Sequence, residues 1–403
     1  MDLSYGPEYD DFRSEVRTFI EKNKEKAPAP GMGMQHPGPR EREWQRLLID
    51  NGYTCRTIPK EYGGYGGEPD ILKTVIIQEE FTKANVNSGL SGQGIAMLVP
   101  TLLERGTEEQ KKKFIEPTIT GEIYWCQGYS EPGSGSDLAS LRTNAYVEDG
   151  HFVINGQKIW TSSAHFADWC FILVRTEPDA PKHEGISYIL MDMQTPGIEV
   201  RPLVTMTGAA EFNETFLTDV RVPVENVVGE RGEGWKVANT TLKHERGMLG
   251  DPSQAMGRVE SIVRILETES MDGKRLMDNP HYRDRLVAAQ AKVHALKFHS
   301  MRLLTCTLKN EDPGVSRLIV KYFGTTLNRE LSDIALDALG ELGSLYSGSK
   351  HLRSHGSWQW RNMFDLGLII GGGTSQIQKN IISERGLGMP REPKDWRLSG
   401  ERT

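Results

Sequence analysis

Apolar positions fall into three successive patterns along the chain. From residue 1 to about 122 they recur at helical spacing: Phe12, Val16, Phe19 and Ile20 form one face, and Trp44, Leu47 and Leu48 another. The Pro/Gly-rich stretch from Ala27 to Pro39 and the segment Pro59 to Gly67 read as loops between helices. From about 123 to 232 the pattern turns to short strands. Asp149-Gly150 and Asn155-Gly156 are tight-turn signals, and Phe152-Val153-Ile154 is expected to run into Asn155-Gly156 and return through Lys158-Ile159-Trp160 as a hairpin. Further β-rich runs cover Trp169 to Val174, Ile186 to Met191, Ile198 to Leu203 and Phe212 to Val222, a spacing that suits a small barrel or sandwich. From about 233 helices return. Trp235, Val237, Ala238 and Leu242 open one whose apolar face continues through Val259, Ile262, Val263 and Ile265, and others are expected over 281–309, 314–341 and 374–386. The expectation is an α+β chain with a helical domain over 1–122, a β domain over 123–232, and a helical domain with a tail over 233–403.

Composition narrows the function classes. The chain has 403 residues, 37% hydrophobic and 26% charged, with a formal net charge of −7. That length calls for more than one core. No basic stripe offsets the negative charge, which argues against nucleic acid as a partner. Lys111-Lys112-Lys113 is flanked by Glu108, Glu109 and Glu116 and reads as a solvated helix face. The start Met1-Asp2-Leu3-Ser4-Tyr5 does not read as a signal peptide, and no apolar run approaches a bilayer span. Cys55, Cys126, Cys170 and Cys306 are widely spaced, as expected of reduced thiols in a cytoplasmic protein without a metal site.

One segment stands out chemically. Cys126-Gln127-Gly128-Tyr129-Ser130-Glu131-Pro132-Gly133-Ser134-Gly135-Ser136-Asp137 is dense in small residues, whose backbone amides can approach a ligand closely. On the residues alone this is either a surface turn or a ligand loop. It is not GxGxxG, and no βαβ unit surrounds it.

The same segment carries a resemblance to the acyl-CoA dehydrogenase family, whose loop reads roughly (T/S)-E-P-x-x-G-S-D. The resemblance continues in Lys158-Ile159-Trp160-Thr161-Ser162 after Asn155-Gly156, in Pro59-Lys60-Glu61-Tyr62-Gly63-Gly64, in Asp219-Val220-Arg221-Val222-Pro223, and in Gly372-Gly373-Thr374-Ser375-Gln376-Ile377-Gln378. It implies an N-terminal helical domain, a central β-barrel and a C-terminal four-helix bundle, with FAD between barrel and bundle. It also implies that Gln127, Gly128, Tyr129 and Ser130 line the isoalloxazine, joined by Trp160, Thr161 and Ser162. An indole offers a flat surface, and hydroxyls and amides can hydrogen-bond the flavin edge. Ser136 matches a position near the pantetheine arm of an acyl-CoA substrate. Thr374 and Gln376 match contacts to the adenosine half of the cofactor.

The chemistry implied is removal of an α-proton by a carboxylate while hydride leaves the β-carbon, which needs a hydrogen-bonded thioester carbonyl and a base in an apolar site. Many family members carry the base as the first residue of Glu-Gly-Thr; here that position is Gly372, which cannot take a proton. Others carry it on the first long helix after the barrel, directly before an Arg. Leu242-Lys243-His244-Glu245-Arg246-Gly247 matches that pattern, so Glu245 is the expected base and Arg246 is expected to orient the site. His244 is a competing titratable group without a motif. The Gly372 amide can still donate to the thioester carbonyl.

Two family elements are missing. Arg-x-x-Phe-Gly finds no match in 267–276, and Gln-x-x-Gly-Gly-x-Gly is replaced by Asp337-Ala338-Leu339-Gly340-Glu341-Leu342-Gly343. The tail Leu387-Gly388-Met389-Pro390-Arg391 resembles a bacterial branch in which some members are half of a two-gene assembly. A homotetramer and an α2β2 heterotetramer both remain open, with electrons passing to an electron-transfer flavoprotein. A flavin oxidase and a non-catalytic partner subunit are the rival readings. The missing side chain at Gly372 suits branched, cyclic or sterol-derived acyl groups.

Overall fold

The computed structural model describes residues 6–29, 35–248, 252–309 and 311–391; the side chains of 245–248 lie outside that description. The chain divides into two compact units, 2–245 and 246–403.

In the first unit, five helices precede the sheet: α1 (Pro7–Asn23), α2 (Pro39–Asp50), α3 (Ile71–Ala84), α4 (Val99–Arg105) and α5 (Glu108–Ile119). Asp70 caps α3 through the Lys73 amide. Thr107 and Gln110 form a reciprocal capping box on α5, satisfying donors that a helix start leaves open. Val16, Phe19 and Ile20 of α1 pack with Trp44, Leu48, Ile76 and Phe81, so the helical periodicity of this region reports a real core.

The strands are β1 (Trp125–Gly128), β2 (Asn144–Glu148), β3 (His151–Lys158), β4 (Trp169–Arg175), β5 (Ile186–Asp192), β6 (Ile198–Leu203) and β7 (Phe212–Pro223). They form one sheet in the order β1-β4-β2-β3-β7-β6, with β5 paired to β4. The expected hairpin at Asn155-Gly156 is corrected. Asp149 and Gly150, both at positive φ, make the turn between β2 and β3. β3 then runs straight through Asn155-Gly156, where its register against β7 shifts in a bulge. A Cβ on Gly156 would lie 2.7 Å from the Thr143 backbone, and φ there is +153°, so the glycine serves a close approach inside a strand. The chain therefore leaves the sheet after Lys158, at Ile159-Trp160, instead of returning along it. The first unit ends at Glu245 within α6 (Gly234–Met248), whose last three residues belong to the second unit.

In the second unit the apolar face foreseen through Val259 and Ile265 belongs to a separate helix, α7 (Pro252–Thr268). The two-stranded ribbon of β8 (Ser270–Met271) and β9 (Lys274–Arg275) follows. Then come α8 (Pro280–Leu308), α9 (Ile319–Leu339), α10 (Ser357–Ile370) and α11 (Ser375–Ile381). Val259, Ile262 and Leu266 meet Leu286, Val293, Leu327, Leu331, Ile334 and Trp358 in one core. Arg258 pairs with the fully buried Asp365 at 2.7 Å, joining α7 to α10. α10 was not foreseen; its run Trp358 to Ile370 has too few polar positions to show a helical period.

Candidate active site

β1 carries Cys126, Gln127 and Gly128 beside β4, with Cys126 opposite Cys170, and leads into a loop that begins at Tyr129. The loop closes on itself: Glu131 and Ser134 exchange backbone hydrogen bonds of 2.9 and 3.0 Å. The Glu131 carboxylate turns inward and accepts from the amides of Arg142 (2.6 Å) and Thr143 (2.9 Å) and from Lys158 Nζ (2.8 Å). Lys158, 1% exposed, also donates to the Tyr129 carbonyl at 3.2 Å, and the Ile159 amide donates to the Ser130 carbonyl at 2.9 Å. One buried ammonium thus joins the end of β3 to both sides of Ser130. Two sequence motifs far apart in the chain are stitched together by it. Burial works against the Glu131 charge, but Lys158 and the two amides outweigh it and hold the carboxyl below its usual range.

Beyond that junction, Trp160 sits at φ +60° and is 57% exposed, edge-on to Phe212 with ring centroids 5.9 Å apart. A bulky residue in the left-handed region costs roughly 1–3 kcal/mol and persists where surrounding contacts fix it. Those contacts are visible: the Thr161 amide donates to the Asn213 carbonyl (3.0 Å), and Asn213 Nδ2 donates back to the Thr161 carbonyl (2.8 Å). Thr161 is 1% exposed, and its Oγ1 finds no hydrogen-bond partner among the described residues; neither does Gln127 Nε2. Gln127 Oε1 accepts from Gln93 at 3.4 Å. Buried polar atoms are rarely left unpaired, so these two, among several such atoms in the described residues, are candidates to meet a ligand. A hydroxyl and an amide donor suit the carbonyl and ring-nitrogen edge of a flavin, and an indole suits its flat face.

The remaining residues of the first unit are placed as follows. Tyr129 is buried, edge-on to Phe171 and Tyr188. Ser162 is half-buried, and Ser136 is exposed on the loop, where the neighbouring Asp137 pairs with Lys182 at 2.6 Å. Glu245 and Arg246 lie on α6, and their side chains are outside the described residues. His244 faces Glu104 at 3.1 Å. Lys111 pairs with Glu108, consistent with a solvated face. Sequence reasoning quoted Lys158 and Glu131 within motifs yet gave them no role; β3 buries Phe152, Val153 and Ile154 in a row, so no in-out alternation signalled that Lys158 points inward.

In the second unit Gly372 and Gly373 have φ of +64° and +88°, and Thr374 caps α11 by accepting from the Ile377 amide at 3.1 Å. Gln376 is exposed. The four cysteines are free. Among the described residues no group of three or more His, Cys, Asp or Glu is placed to hold a metal, and no helix is long and apolar enough to cross a membrane.

Comparison with known proteins gives the geometry its context. Family models match the N-terminal domain of acyl-CoA dehydrogenases over residues 6–122, the middle domain over 126–220 and the C-terminal domain over 232–387. The chain is 36% identical over 394 residues to acyl-CoA dehydrogenase IpdE1 of Mycobacterium tuberculosis, covering 96% of this chain and 99% of that protein. A solved structure described as the steroid ACAD Tcur3481-Tcur3483 superposes with a TM-score of 0.81 at 31% identity, covering 97% of this chain and all (100%) of that one. The ChsE4-ChsE5 complex from Mycobacterium tuberculosis gives a TM-score of 0.80 at 32% identity, with coverage of 97% and 100%. With its loop, its indole and all three domain signatures in order, the chain belongs to the acyl-CoA dehydrogenase family and is a flavin-dependent enzyme of that kind.

Proposed function

We propose that this acyl-CoA dehydrogenase uses FAD to convert an acyl-CoA thioester to its trans-2-enoyl-CoA and passes the electrons to an electron-transfer flavoprotein. The observation that carries the reading is that the two quoted motifs hold buried, unpartnered atoms, Gln127 Nε2 and Thr161 Oγ1, the latter next in the chain to the strained, exposed Trp160. When bound, the flavin supplies the acceptor for the hydride leaving the β-carbon. Glu245 takes the α-proton as its carboxylate. The Gly372 amide donates to the thioester oxygen as negative charge builds there. Gln127, Gly128, Tyr129, Ser130, Thr161 and Ser162 hold the flavin edge, and Trp160 offers its face. Ser136 and Arg246 orient the substrate, and Thr374 and Gln376 bind the adenosine half of FAD.

The acyl group is branched, cyclic or sterol-derived. Two facts support this: Gly372 has no side chain at a position where the family resemblance puts a glutamate in many members, and the relative Tcur3481-Tcur3483 is described as a steroid ACAD. A second reading has specific support. One structural relative named above is described as the ChsE4-ChsE5 complex, so this chain is also a candidate for one subunit of an α2β2 complex.

Anaerobic incubation of the flavin-loaded protein with straight, branched and sterol-side-chain acyl-CoAs tests the proposal. Loss of two mass units from a bulky acyl-CoA, together with bleaching of the flavin, is the expected result. Turnover confined to short straight chains would sink the substrate class, and no dehydrogenation of any thioester would sink the reaction.

A further inference from the structure

We infer that Lys321 is a positioning residue for the Gly371–Gly373 turn. The inference rests on the reading that the Gly372 amide receives the thioester oxygen. Lys321 sits near the start of α9 and is 3% exposed. Its ammonium donates to the Ile369 carbonyl at 3.1 Å and to the Gly373 carbonyl at 2.7 Å. These two carbonyls bracket the turn.

Three features make the arrangement more than helix packing. The Ile369 carbonyl lies in the last turn of α10, where carbonyls lack helical partners and the helix carries its negative end; a buried cation answers both. The turn itself is three consecutive glycines, two at positive φ, so no side chain of its own fixes its direction. On its far side the turn is already pinned by Thr374, whose side chain caps α11. Lys321 pins the near side and sets a positive charge against a backbone whose amide is assigned to a developing oxyanion. With glutamate absent at Gly372, the chain depends on a donor from a neighbouring helix to hold that amide in place.

The test compares wild type, Lys321→Met and Lys321→Arg, each flavin-loaded, using a sterol-side-chain acyl-CoA for turnover. Binding of its trans-2-enoyl-CoA product is set against the matching S-alkyl-CoA, a thioether without the carbonyl. Lys321→Met is expected to lower kcat by about tenfold or more with KM changed less than about threefold. It is also expected to lose the wild-type preference for thioester over thioether. Lys321→Arg, which keeps a donor, is expected to recover most of both. If Lys321→Met keeps the full preference and kcat, the inference is overturned while the carbonyl reading stands. A kcat loss that Lys321→Arg does not relieve, and that tracks flavin loss or lowered Tm, also overturns it, because the lysine is then merely structural. If wild type itself shows no preference for the thioester, the carbonyl reading falls and takes the inference with it.

Discussion

Thr161 shows how much a single atom can specify. Its backbone N–H and C=O are both taken by Asn213, while its buried hydroxyl has no partner among the described residues, and the proposed function gives that hydroxyl to the flavin edge. Thr161→Val keeps the shape and removes the hydroxyl. The expected outcome is normal folding with kcat about fivefold lower, the kinetic equivalent of one hydrogen bond of about 1 kcal/mol, read by steady-state turnover. Glu245 is the sharper case. Glu245→Gln is expected to retain flavin and bind acyl-CoA while losing at least about 100-fold in turnover. Activity within a few-fold of wild type would move the base elsewhere, with His244 the neighbouring titratable group, here already engaged by Glu104.

At the scale of elements, the site depends on a junction between β3 and the loop after β1, made by Lys158 and Glu131. Lys158→Met removes the cation and leaves Glu131 charged and buried, a change expected to cost about 3–5 kcal/mol, measured by denaturant unfolding. The same junction gives a pH signature. The Glu131 carboxyl is held below its usual range when folded, so the stability it contributes is complete above the unfolded value of about 4.3 and is lost as pH falls through the lower folded value. Wild-type Tm should therefore drop in that acid window more steeply than the Tm of Glu131→Gln. This junction also marks where sequence reasoning ran out. Helical spacing revealed α1, α2 and α8 because each buries one face, and the β-rich runs revealed β4 to β7. Asn155-Gly156 misled because the same dipeptide serves a turn or a bulge, and only the closeness of Thr143 decides between them. Of the candidate site, the loop and Trp160 were legible as motifs. The inward turn of Lys158 and the orphaned Thr161 hydroxyl were not, because both depend on which strand lies opposite.

For the whole molecule, the question is whether one chain makes a complete cofactor site. The family's Arg-x-x-Phe-Gly and Gln-x-x-Gly-Gly-x-Gly elements are absent from 267–276 and 337–343, and one structural relative is described as a complex, ChsE4-ChsE5. Against this, the loop, the exposed indole of Trp160 and the unpaired buried atoms of Gln127 and Thr161, to which the proposed function assigns the flavin, all lie within residues 126–162. The most direct measurement is the FAD content of the chain expressed and purified alone, read from its visible spectrum. The account predicts about one FAD per protomer. Folded protein that carries none would contradict it and make this chain dependent on a partner subunit for its chemistry.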